Sequence, residues 1–141
     1  MAVRTSTRFR RERAAVPAAR RFAEHVLVSA GTPADVTERM VLAVAEACNN
    51  AILHAGGDDF TVSIVVDGGR ALVSVADDGD GFDPPARPSM PGPQATGRRG
   101  LALMQALVDA VDVTSSGRGT TVALMQAFSA LPARAVVAVD G

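Results

Sequence analysis

A chain of 141 residues with a formal net charge of −1 holds one domain, long enough to bury roughly two-thirds of its unfolded surface and too short for two comfortable cores. Its 14 basic side chains are all arginine; without lysine there is no P-loop, no lysine on the third strand of a protein-kinase fold and no Schiff-base amine. Hydrophobic residues make up 48% and aromatics 4%, so a globular core must be built from Val, Leu, Ala and Ile.

Residues 1–21 carry seven arginines against Glu12 alone, whereas the centre from Asp58 to Asp83 is acidic. An arginine-rich arm can bind phosphate backbones, but with Phe9 as its one interleaved aromatic it reads more simply as a solvated strand and loop, and direct nucleic-acid binding is not expected. A short strand is predicted around Thr7 to Arg11. Beyond it, Val16, Ala19, Phe22, Ala23, Val26 and Leu27 recur at the spacing of one amphipathic helix, with Pro17 suited to its first turn and Gly31 to its end. A second helix is expected to open with Thr32 as N-cap, Pro33 as first helical residue and Asp35 near the positive end of the dipole, and to stop at Gly56 and Gly57. Cys48, within this helix between Ala47 and Asn49, reads as small-residue packing; a single cysteine cannot form an intrachain disulfide and leaves the redox compartment open.

From Phe60 to Asp77 the chain is β-branched and partly alternating, broken at Asp67, Gly68 and Gly69 in the manner of a hairpin. Residues Phe82 to Arg99 contain five of the eight prolines, which excludes helix and central strand and predicts a long surface loop, either a binding-site lid or a disordered segment. Leu101, Met104, Leu107, Val108 and Val111 restore helical periodicity, and two more strands are predicted around a turn at Ser116 to Gly119. The organisation expected is a basic N-terminal arm with a first strand (1–15), one domain (16–128) and a C-terminal tail (129–141) that is a last strand or a loose end. Helix, helix, hairpin, loop, helix, hairpin fits an α+β, two-layer sandwich: a mixed, mostly antiparallel sheet with its helices on one face. No apolar run approaches 18 residues and no secretory leader is evident, so a cytoplasmic protein with no membrane segment is expected.

Chemistry concentrates in four stretches. At 100° per residue, Glu46, Asn49, Asn50 and His54 share one flank of the second helix and Met40, Val44, Ala47 and Ala51 the other. A polar flank can be nothing more than a solvated face, but asparagine costs roughly half a kcal/mol relative to alanine in mid-helix, and two in succession break local preference in the way functional sites do. Glu46 and Asn50 lie one turn apart, so a carboxylate able to take a proton and a carboxamide oxygen able to ligate Mg²⁺ face one small volume. In "DDGDGF", Asp77 ends a strand where its carboxylate could accept a hydrogen bond from an exocyclic amine such as that of adenine, and Gly79 and Gly81 leave room for a flat ring; any Asp–Gly turn has the same composition. In "GRRGL" a glycine-flanked loop opens a helix, whose free N–H groups favour an anion; Arg98 and Arg99 either add charge there or are solvated. "GTTV" at Gly119 to Val122 is compatible with any hairpin.

In this order and spacing the stretches resemble the GHKL ATPase superfamily, which includes gyrase, the MutL mismatch-repair proteins and the histidine kinases. More narrowly they are similar to the bacterial anti-sigma factor serine/threonine kinases. The resemblance runs from about Val16 to Phe128 and rests on "ExxxNAxxHA" (Glu46, Asn50, Ala51, His54, Ala55), "DxGxGF" (Asp77 through Phe82) and "GLxLM" (Gly100 through Met104, with Gly97 upstream). It implies Glu46 as general base, Asn50 as Mg²⁺ ligand, Asp77 as adenine reader and Thr120 as its hydroxyl support. Asn49, Gly79, Gly81, Phe82, Gly97, Arg98, Arg99, Gly100 and Leu101 complete the implied nucleotide contacts. Two positions depart from the pattern: Asn49 stands where these kinases often have threonine, and Arg98 where many relatives have a second glycine. His54 is better read as a structural residue at a helix end than as catalytic. The function implied is an ATP- and Mg²⁺-dependent kinase that binds a sigma factor and phosphorylates a STAS-domain anti-anti-sigma protein. The alternative is a nucleotide-binding regulatory module with weak or no kinase activity; homodimerisation is left open.

Overall fold

The computed structural model describes residues 2–54, 57–77, 100–116 and 119–129. In chain order these form strand β1 (Ala2–Arg10), helices α1 (Ala15–Ser29) and α2 (Ala34–His54), strands β2 (Asp59–Asp67) and β3 (Arg70–Asp77), a helix over residues 100–107 (α3), and strands β4 (Ala110–Ser116) and β5 (Gly119–Ala127). The five strands make one sheet in the order β1-β2-β3-β5-β4. Each neighbouring pair is antiparallel, so the mixed element of the expected sheet is absent among the described strands. The α+β class stands.

Alternation along the strands explains why one face is covered. Phe60, Val62, Ile64 and Val66 on β2, Ala71, Val73 and Val75 on β3, and Val122 and Leu124 on β5 are all buried, with residues between them more exposed. Against this face α2 packs on β3 and β5, and α1 lies on β1 and β2. Ala15, Ala19, Ala23, Val26 and Leu27 of α1 meet a broad apolar side of α2 in which Met40, Ala43, Val44, Ala47 and Cys48 are wholly buried. Three of the five phenylalanines meet at one corner: Phe9 stacks on Phe60 at 5.7 Å between ring centroids and meets Phe22 edge-on at 6.1 Å.

Local signals set most of the boundaries. Gly68 and Gly69 both have positive φ, so they form the two-residue loop that matches the twist of β2 and β3. The first helical bond of α2 runs from Thr37 N–H to the Pro33 carbonyl at 2.8 Å. Pro33 therefore takes the cap position expected of Thr32, whose buried hydroxyl has no hydrogen-bond partner in the described structure. The third helix is shorter than its periodicity suggested: Val111 belongs to β4, opposite Leu124, because sheet pairing captures a β-branched residue that also fits the helical repeat. β1 is longer than Thr7 to Arg11, pairing with β2 along its whole length from Ala2 opposite Asp67 to Arg10 opposite Asp59.

Candidate functional site

Antiparallel pairing brings the chemically distinctive stretches to one end of the sheet. Asp77, the last residue of β3, is opposite Phe60, near the start of β2, and so shares the helix-covered face with that buried ring. On its other side Ala76 is opposite Thr121, which sets Asp77 level with Thr120 at the start of β5. The helix α2 leads into β2, so its C-terminal half reaches the same end.

Gly119 and Asp77 are in close approach. A Cβ at Gly119 would run into the Asp77 carbonyl oxygen and lie 3.1 Å from Asp77 Oδ1, and the backbone there has φ of 141°, so glycine is required on both counts. Sequence reading gave "GTTV" little weight, and this contact was the part it missed; nothing short of the strand register could reveal that Gly119 fits beneath the aspartate. The Thr120 hydroxyl is 3.0 Å from the Ser115 hydroxyl on β4, extending the polar row along the strand ends.

A second close approach joins α3 to α2. A Cβ at Gly100 would stand 3.3 Å from Asn50 Nδ2, 3.5 Å from Asn50 Oδ1 and 3.5 Å from Glu46 Oε1. Gly100 is buried, and Glu46 and Asn50 are half-buried. Thus Gly100, the first described residue of α3, lies directly on the acid and the amide one turn apart on α2. A side chain at position 100 would fill the space between them. Asn49 is exposed and Leu101 half-buried. Gly79, Gly81, Phe82, Gly97, Arg98 and Arg99, together with the proline-rich stretch, lie outside the described residues.

Arginines that sequence reading treated as a solvated arm or left unremarked hold these pieces in place. Arg11 donates from Nε to the Gly57 carbonyl at 2.6 Å and from Nη1 to the Ile52 carbonyl at 2.8 Å, binding the C-terminal end of α2 to the end of β1. Arg39 donates from Nε to the Leu107 carbonyl at 3.2 Å, tying α2 to the far end of α3. Cys48 is wholly buried behind the Glu46–Asn50 flank, and burial pushes its thiol up to about 12, which removes it from thiolate chemistry. Among the described residues no group of three or more His, Cys, Asp or Glu could hold a metal ion.

Residues 9–126 match the family model described as Histidine kinase-like ATPase domain. The chain belongs to this family. The domain is 38% identical over 103 residues to Serine-protein kinase RsbW of Bacillus velezensis and 36% identical over 103 residues to Serine-protein kinase RsbW of Bacillus subtilis. Each alignment covers 64% of this chain and 64% of the relative, so the chain spans under two-thirds of the curated relatives it matches. Its fold is similar to that in the crystal structure of the RsbU and RsbW domains of Rv1364c from Mycobacterium tuberculosis, with a TM-score of 0.70 at 21% identity over 89% of this chain and 32% of that one. It is also similar to the histidine kinase domain of a blue-light activated histidine kinase from Erythrobacter litoralis, with a TM-score of 0.54 at 22% identity over 82% of this chain and 60% of that one. No described helix is long and apolar enough to cross a membrane.

Proposed function

We propose that this domain is an Mg²⁺- and ATP-dependent serine/threonine kinase of the anti-sigma type, acting in the cytoplasm on a STAS-domain anti-anti-sigma protein and binding a sigma factor. The observation that carries the reading is the convergence of Glu46, Asn50 and Gly100 on one point, within a chain whose relatives are serine-protein kinases.

In this reading Asp77 accepts a hydrogen bond from the exocyclic amine of adenine, with Thr120 beside it and Gly119 beneath. Gly79, Gly81 and Phe82 border the base, and Gly97, Arg98, Arg99, Gly100 and Leu101 form the phosphate side with Asn49 and Asn50. Gly100, with no side chain to fill the space beside Asn50 and Glu46, leaves room for the phosphates there. Asn50 fits Mg²⁺: its Oδ1 is a hard oxygen beside the Glu46 carboxylate, each 3.5 Å from where a Cβ at Gly100 would stand, and Mg²⁺ commonly keeps few protein ligands, completing its shell with phosphates and water. Bound Mg²⁺ supplies neutralisation of the charge on the diphosphate leaving group.

The protein's own part in transfer is positioning and one proton. Glu46 takes the proton from the acceptor hydroxyl as that oxygen bonds to the γ-phosphorus; the bond from the γ-phosphorus to the bridging oxygen breaks, and ADP departs. Purified protein, radiolabelled ATP, Mg²⁺ and a cognate STAS protein test this directly. Label should appear on a serine or threonine of the STAS protein, and Glu46→Ala should abolish it while leaving ATP affinity within severalfold. ATP binding without transfer to any such acceptor would instead support a regulatory nucleotide-binding module, and transfer retained by Glu46→Ala would show that another group is the base.

A further inference from the structure

The two contacts between α2 and α3 have matching spacing. Gly100 sits on Glu46 and Asn50, and the Leu107 carbonyl accepts from Arg39. Seven residues separate Gly100 from Leu107 along α3, and seven separate Arg39 from Glu46 along α2. At ~1.5 Å rise per residue both spans are about 10.5 Å. The helices therefore run antiparallel, side by side, touching at both ends of the same two turns, with the Met104 side chain buried between those ends.

The Arg39 contact answers a specific need. The last intrahelical bond of α3 that is seen runs from Val108 N–H to the Met104 carbonyl at 3.1 Å, and the chain turns into β4 at Ala110. The Leu107 carbonyl thus belongs to the group that a helix end leaves without backbone donors, at the negative end of its dipole, where a guanidinium is favoured on both grounds. Arg39 is itself steadied one turn back on α2, its Nη1 lying 3.3 Å from Asp35 Oδ2. The segment after α3 is fixed separately to β5: Asp109 N–H donates to Gln126 Oε1, and Ala127 N–H to Asp109 Oδ2, both at 3.0 Å. Those bonds hold the helix end to the sheet; the arginine sets where along α2 that end stands.

We propose that Arg39 is a positioning residue for phosphate binding: by anchoring the C-terminal end of α3 to α2, it keeps Gly100 level with Glu46 and Asn50. The proposal rests on the nucleotide reading above and adds a residue about two helical turns from the phosphates. A helix held at one end and free at the other slides or tilts as a rigid body, and displacements of about 1 Å at a reacting group are enough to cost large factors in binding or rate.

The test compares the wild-type chain with Arg39→Ala, Arg39→Lys and Asp35→Ala by titration calorimetry, using ATP with Mg²⁺ and, separately, adenosine, which lacks the phosphates. Arg39→Ala should weaken Mg²⁺–ATP binding about tenfold, the size of one lost charge-assisted hydrogen bond, while adenosine affinity stays within about twofold. Arg39→Lys, which can still reach one carbonyl, should recover most of the loss, and Asp35→Ala should show a smaller loss with the same preference for the triphosphate. Unchanged Mg²⁺–ATP affinity in Arg39→Ala would overturn the proposal, as would an equal loss for ATP and adenosine, which signals general loosening of the fold. If Arg39→Ala does not fold, Arg39→Met, which keeps the packing stem but has no donor, decides it by the same comparison. A wild-type chain that binds no Mg²⁺–ATP overturns the nucleotide reading itself, an outcome distinct from a wild type that binds and variants that match it.

Discussion

Replacing Gly100 with alanine would place a methyl group 3.3 Å from the Asn50 carboxamide nitrogen, tighter than most such contacts, and in ordinary contact with a Glu46 oxygen at 3.5 Å. Gly100 or the Asn50 carboxamide would have to give by a few tenths of an ångström, and a carboxamide rotated off its rotamer costs about 1 kcal/mol. Gly100→Ala is therefore expected to weaken Mg²⁺–ATP binding about fivefold to tenfold by calorimetry while its melting temperature moves little, since alanine is otherwise the better helix residue. Cys48 gives the opposite kind of prediction. With its thiol buried and pushed up to about 12, the native protein should resist alkylation at pH 8 and react only after denaturant is added; rapid labelling of folded protein would place Cys48 at the surface. The raised value also gives a sign to alkaline stability. The folded thiol stays protonated while the unfolded one ionises near 9, so its contribution is complete below about pH 9 and falls away as pH climbs toward 12. At this scale the sequence singled out Asn50, which breaks local helix preference and lies against Gly100, while its neighbour Asn49 is exposed. It was silent on Arg39 and Gly119, whose partners lie 68 residues away for Arg39 and across the strand register for Gly119.

Among the elements, α1 and α2 were legible because a long apolar repeat is punctuated by Pro17, Gly31, Pro33 and the Gly56–Gly57 pair. β1 was less so: its outward residues Arg4, Ser6, Arg8 and Arg10 are polar, and it lies at the sheet edge with a burial pattern that alternates only between exposed and half-buried. An edge strand with arginines on its open side has little apolar signal, and charge there discourages pairing with another chain. Within this element Arg11 does structural work that an arginine count cannot show. Its guanidinium donates to the Ile52 and Gly57 carbonyls, so Arg11→Ala should lower unfolding stability by about 1 kcal/mol, the usual worth of a helix-end cation with its hydrogen bonds on an exposed surface. Hydrogen exchange would place the loosening in the last turn of α2. Equal stability of wild type and Arg11→Ala in urea would show that water replaces those bonds without loss.

For the whole molecule, the arrangement was readable because three local periodicities and two hairpins leave few ways to cover one face of a sheet. What the sequence did not contain was the crossing that inserts β5 between β3 and β4, which brings Gly119 to Asp77. That order is a property of long-range pairing, and strand composition alone does not encode it. The same scale bears on the arginine-rich start of the chain. Arg11 is engaged with backbone carbonyls, Arg8 lies 3.8 Å from Asp59, and the chain carries a net charge of −1. A mobility-shift experiment with duplex DNA near physiological salt should show no complex; binding that weakens steeply with added salt would reveal a phosphate-binding surface instead. The account as a whole turns on the acid and amide of α2 meeting the start of α3 around a nucleotide. Calorimetric titration of ATP into the wild-type chain and into Asn50→Ala, each with and without Mg²⁺, tests that most directly. The prediction is saturable heat in the wild type that grows with Mg²⁺, and loss of the Mg²⁺-dependent part in Asn50→Ala. Absence of heat in the wild type with Mg²⁺ present, or an Asn50→Ala response identical to wild type, would contradict it.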